Sequence, residues 1–253
     1  MRKIFLPAVF FLLGSAFLFS CKKDTENISE ISKGNLFFPL EVGKYIVYDV
    51  DSTIWDDLLK AEIHHRSQMR YDVTDTFRDD AGRLSYVITI RSRPTDLDPY
   101  VASDVIYATP TPTNVVVTQK NLKFIKLTFP VANGKSWNGN AMIPLDDAHN
   151  EEYNNDKWLY TYARFDQSFD PGNNLYRHTV TVNEIDDQLN DPDVDSTAYA
   201  YKNYEQEIYA YNVGMIYRER IYWVFQPKSP DGQSGGSGYR KGYGVLMKAV
   251  DNN

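Results

Sequence analysis

The stretch that decides the fold is Leu84-Ser85-Tyr86-Val87-Ile88-Thr89-Ile90-Arg91-Ser92-Arg93, entered through Asp79-Asp80-Ala81-Gly82-Arg83. From Tyr86 to Arg91 the side chains alternate with a period of two, so one face of an extended strand meets a core and the other meets water. The polar segment before it puts Gly82 where a tight turn needs a left-handed residue, which predicts a hairpin. Working outward, the same aromatic and β-branched texture recurs. Strands are expected at 44–55, 62–77, 84–93, 101–108, 114–119, 124–129, 157–165, 176–185, 198–211, 215–225 and 245–250. No window carries a long amphipathic helix, and short ones are expected only at 143–153 and 197–208. The pattern predicts an all-β (β-dominated) fold: one strongly curved antiparallel sheet or half-barrel with one or two short helices.

The chain has 253 residues, enough for one sizeable domain, and at 42% hydrophobic it is too apolar for wholesale disorder. A single cysteine excludes a disulfide framework and any cysteine-based zinc site. The net charge of −7 argues against nucleic acid as a partner.

The N-terminus reads as an export signal. Met1-Arg2-Lys3 is basic, and residues 4–19 are apolar but too short and interrupted to span a bilayer. Leu18-Phe19-Ser20-Cys21 follows, and it resembles the bacterial lipobox. That resemblance implies lipid transfer to the Cys21 thiol and cleavage before it. Phe19 departs from the small residue usual at its position. Three segments result: 1–20 a lipoprotein signal peptide, 21–35 a lipidated cysteine with a flexible tether, and 36–253 a single β-rich domain. Removing 1–20 takes away Arg2 and Lys3 and no acid, so the mature net charge is −9. Attachment then rests on the lipid, which anchors durably when several acyl chains are present. Lys22 after the cysteine favours the outer membrane.

Phe38-Pro39-Leu40-Glu41-Val42-Gly43-Lys44-Tyr45 is echoed by Phe129-Pro130-Val131-Ala132-Asn133-Gly134-Lys135-Ser136-Trp137. Either the chain has two similar halves, or one turn is used twice. The first of these segments, together with Tyr211, Val213, Gly214, Ile216, Tyr217 and Glu219, resembles the patterns FPLxxGxxWxY and YxxGVGxIxxE. These are the patterns of an uncharacterised family of Bacteroidetes outer-membrane lipoproteins. The chain has Tyr45-Ile46 where that family often has Trp. More distantly it is similar to half-barrel lipoproteins of the LolA/LolB-like carrier type. The resemblance implies an envelope location and a curved sheet around an apolar cavity, and it implies no chemistry.

No motif points to catalysis. His64 and His65 are adjacent and point to opposite faces of a strand. Asp147, His149 and Glu151 share one face if extended, and Asp191, Asp193 and Asp195 offer the oxygen-rich composition of a calcium loop, without the Gly and Glu of an EF-hand. No cofactor is expected beyond the lipid on Cys21. The abundant aromatics remain. Tyr199, Tyr201, Tyr209 and Tyr211 would share one face of an unbroken strand. Trp55, Trp137, Trp158, Tyr209, Tyr211 and Trp223 are the expected ligand-binding residues if they are not simply core. The expected role is non-catalytic binding or carriage of an apolar molecule. The rival roles are a surface glycan- or protein-binding accessory and a hydrolase using carboxylates of 146–156.

Overall fold

The computed structural model describes residues 33–144, 152–153, 157–172, 174–228 and 238–253. Cys21, the signal segment, most of the tether, and Asp147, His149 and Glu151 lie outside the described residues. Twelve strands form one antiparallel sheet: β1 (Tyr45–Asp56), β2 (Ala61–Arg78), β3 (Leu84–Arg93), β4 (Val101–Pro110), β5 (Asn114–Gln119), β6 (Leu122–Thr128), β7 (Ser136–Trp137), β8 (Tyr160–Phe169), β9 (Tyr176–Leu189), β10 (Ala200–Ala210), β11 (Gly214–Gln226) and β12 (Tyr239–Asn252). Their spatial order is β6-β5-β4-β3-β2-β1-β12-β11-β10-β9-β8-β7. Neighbours in sequence are neighbours in space, and the first strand pairs with the last. The sheet thus rolls into a nearly closed up-and-down barrel, which removes most of the unpaired edge an open sheet would expose.

The deciding hairpin forms as read. The Asp79 carboxylate accepts from the amides of Ala81 and Arg83 at 3.0 and 2.8 Å, and Gly82 sits at φ +74°. Segment 197–208, read both within the expected strand 198–211 and as a place for a short helix, is mostly strand β10. It is hydrogen-bonded on both sides, to β9 and to β11, and two ladders outweigh the modest helix propensity of its residues. A 3-10 turn stands at Asn35–Phe37, and most of 143–153, the other place for a short helix, lies outside the described residues.

The echoed segments adopt the same turn. Lys44 N donates to Glu41 O, and Lys135 N to Ala132 O, both at 3.1 Å. Gly43 and Gly134 are left-handed, at φ +99° and +77°. Each exchanges a backbone pair with the next strand but one: Gly43 N to Val73 O and Val73 N to Lys44 O, and Gly134 N to Tyr162 O and Tyr162 N to Lys135 O. The barrel is therefore built of two six-strand halves, β1–β6 and β7–β12, each opened by this turn. Phe38 and Phe129, which head the two turns, pack against the same two core clusters, the one around Leu127 and Val131 and the one around Ile88 and Val117.

The halves meet at two junctions. Between β1 and β12 a ladder runs from Ile46↔Asn252 to Trp55↔Gly242. Between β6 and β7 no ladder forms. Ile125 N donates to Gly139 O at 2.8 Å, the Trp137 indole donates to Ile125 O at 2.7 Å, and the Tyr162 hydroxyl contacts both the N–H and the carbonyl of Thr128 at 2.9 and 3.0 Å. Side chains close this seam.

Candidate functional site: the barrel lumen

Inward-facing positions of ten strands enclose a cavity of about 130 Å³. One wall, from β1–β5, carries Tyr48, Tyr71, Val73, Ile88, Ile106 and Val117. The facing wall carries Lys126 on β6, Glu184 on β9, Glu205 and Glu207 on β10, and Arg218 on β11. At one rim the cavity reaches half-buried Lys44 and exposed Asn253.

The charged wall is a network. Lys126 Nζ bridges Glu184 Oε1 at 2.7 Å and Glu207 Oε1 at 2.8 Å. Arg218 Nη2 meets Glu205 Oε1 at 2.6 Å. Below it, fully buried Arg220 contacts Glu152 and Glu205 and donates to Asn203 Oδ1 at 2.6 Å. Its guanidinium lies over the Trp158 ring at 5.4 Å. Buried charges persist only when paired, and here the opposing strands supply the partners: Glu205 stands across from Arg220, and Glu207 from Arg218.

The protonation pattern follows from this geometry. Burial would raise the Glu207 carboxyl, but Lys126 and Arg218 outweigh it and hold Glu207 at about 2. Burial pushes Glu184 well above the usual carboxylate range, and neighbouring Glu207 pushes it further, against the pull of Lys126. Burial alone would lower Lys126, yet Glu184, Glu207 and Glu205 raise it. Glu184 is thus the proton carrier of the wall. Its Oε1 accepts from Lys126, and its Oε2, fully buried, has no hydrogen-bond partner.

Glu184, Glu205 and Glu207 offer oxygens within 4.8 Å of one another, the spacing of a metal site. The residues do not fit a metal. Lys126 and Arg218 already occupy the cation positions between these carboxylates, and an ion would have to displace them.

The aromatic expectations are redistributed. None of the four tryptophans lines the lumen cavity. Trp137 closes the seam, and buried Trp158 packs under Arg220. Trp55 packs against the cluster of buried Ala200, Trp223 and Phe225, with its ring beside Gly244 of β12. The tyrosine row is split. Tyr209 is buried on the lumen with its hydroxyl on Glu207, and Tyr211 packs on Phe37 outside the cavity. Tyr201 is half-buried and bonds Asp187, and Tyr199 is exposed. Tyr199 precedes β10 and Tyr211 follows it. Within the strand, register shifts at Glu205/Gln206 and Ile208/Tyr209 break the simple alternation.

The acidic loop does not converge. Asp191 Oδ1 accepts from Asp193 N, Asp193 pairs with Arg240 at 2.8 Å, and Asp195 takes the amide and hydroxyl of Thr197. These are turn and ion-pair contacts. Sequence reading passed over the lumen charges, although Glu205/Glu207 and Arg218/Arg220 stand two apart in strands and so share a face.

Neither a protein-family model nor a curated protein matches the chain. Among solved structures, one from Bacteroides fragilis is described as an exported protein with a YmcC-like fold. It aligns over 85% of this chain and 99% of its own, at 13% identity and a TM-score of 0.35.

Proposed function

We propose that the chain is a lipid-anchored protein of the bacterial outer membrane whose barrel takes up a small, largely apolar molecule and does no chemistry on it. Membership of the Bacteroidetes lipoprotein family with the patterns quoted above is part of this reading. One observation carries the binding role: a cavity inside the barrel with an apolar wall facing a charged one. Apolar cavities of about 150 Å³ stay dry and accept benzene-sized guests. At about 130 Å³ this lumen suits a guest of that order, with its body on the β1–β5 wall and one polar group toward Lys126 and Glu184. The half-buried or buried placement of all four tryptophans gives a glycan-stacking platform no support among the described residues.

The test is native mass spectrometry of the soluble Cys21→Ser form lacking residues 1–20, after incubation with an extract of its own organism's envelope. A small apolar adduct that leaves on denaturation is the expected result. A bare mass that stays bare after incubation with envelope extract overturns the reading.

A further inference from the structure

The charged wall limits which polar group a guest can carry. An anion would have to compete for Lys126 and Arg218, and both are already engaged, Lys126 by Glu184 and Glu207 and Arg218 by Glu205. The atom left without a hydrogen-bond partner is Glu184 Oε2, fully buried and on the cavity wall; it carries the carboxyl proton in the empty lumen and becomes an acceptor once that proton leaves. The formal charges agree. Lys126, Arg218 and Arg220 are balanced by Glu152, Glu205 and Glu207, so the network has room for one more cation only if Glu184 ionises. The groups that face Glu184 are Lys126 from β6, Tyr160 from β8, Glu205, Glu207 and Tyr209 from β10, and Arg218 from β11.

Building on the binding role proposed above, we infer that the guest is a small organic cation, an amine on an apolar or aromatic body, whose ammonium group is received by Glu184 Oε2. The exchange balances: the amine enters as its protonated cation, the Glu184 carboxyl loses its proton to solvent, and the wall holds four carboxylates against four cations. The high proton affinity of Glu184 in the empty lumen is the same property seen from the other side, since an isolated buried carboxylate is costly until a cation arrives.

Three probes share one body and differ in the head: benzylamine, benzyl alcohol and benzoate. Isothermal titration at neutral pH, in two buffers of different ionisation enthalpy, reads both affinity and proton release. Benzylamine is expected to bind most tightly and to release protons as it binds. The isosteric Glu184→Gln variant is expected to lose about tenfold or more of benzylamine affinity, as when a charge-assisted hydrogen bond is removed. Benzene, which has no head group, is titrated into both forms as the reference for the lumen itself. Preferential binding of benzyl alcohol or benzoate, or benzylamine binding without proton release, overturns the cation assignment while leaving a guest-binding lumen intact. If neither the three probes nor benzene binds, the lumen reading itself fails.

Discussion

The two halves of the barrel open with the same Phe-Pro-x-x-x-Gly-Lys turn and close on each other in different ways. At β12/β1 a long ladder with one register shift, at Val47/Tyr48, joins them. At β6/β7 the equivalent strand is two residues long, and the Trp137 indole and the Tyr162 hydroxyl take over from backbone pairing. The interiors differ as well. The first half lines the lumen mainly with apolar side chains, and the second half brings in Glu184, Glu205, Glu207 and Arg218. A shared local turn therefore fixes how a half begins. It fixes neither the strength of its closing edge nor the chemistry it presents inward, because those depend on alternating positions far along each strand.

The comparison can be broken first on the charged wall. Arg220→Met should cost about 3–5 kcal/mol, because it removes the cation paired with Glu152 and one of the two paired with Glu205. Equilibrium denaturation checks this. On the apolar wall Ile88→Ala should cost about 2–5 kcal/mol and fall toward the lower figure, since the residue borders an existing cavity. If Ile88→Ala proved the more damaging change, the charged wall would not be the structural keystone of the lumen.

A pH series sharpens the same contrast. Glu207 has a folded value of about 2, below its ordinary 4.5, so its stabilisation is present above 4.5 and is lost as pH falls toward 2. Glu184 is shifted the other way. Its contribution is complete below 4.5 and is lost as pH rises through its raised folded value. Stability of the wild type should therefore decline on both sides of the acidic range. Glu184→Gln should flatten the alkaline-side decline only, and an unchanged slope in that variant would mean that Glu184 is not the proton carrier.

The seam gives the smallest effect. Trp137→Phe removes one indole donor and should cost about 0.5–1.5 kcal/mol. Hydrogen exchange should then accelerate in β6 and β7 and stay unchanged across β1/β12. Uniform acceleration would show that the two junctions open together. Gly139→Ala attacks the same place sterically, since its Cβ would lie 2.4 Å from the Tyr160 ring.

Most of the architecture was legible in the sequence because alternation is a local signal. Every expected strand is present, and Gly82 turns the chain as its neighbours require. What escaped was non-local. β7 is too short to show any period. The pairing of β1 with β12 joins residues some 200 positions apart, and nothing near Ile46 announces Asn252. The site was less legible. The aromatics drew attention by number, yet of the six named residues only Tyr209 lines the lumen. The informative residues were charged ones at strand positions two apart, Glu205/Glu207 and Arg218/Arg220. A polar surface would place such pairs outward, and only the rolled sheet shows that they face in.

The central claim is that a small guest occupies the lumen against the first half's wall. Methyl NMR of the 21–253 form, titrated with benzene, tests it most directly. The account predicts saturable shifts at Ile88, Ile106, Val73 and Val117, with the Val180 and Val182 methyls of the second half's core unmoved. Shifts absent from those four methyls, or scattered over exposed Leu58, Leu97 and Val194, would contradict it.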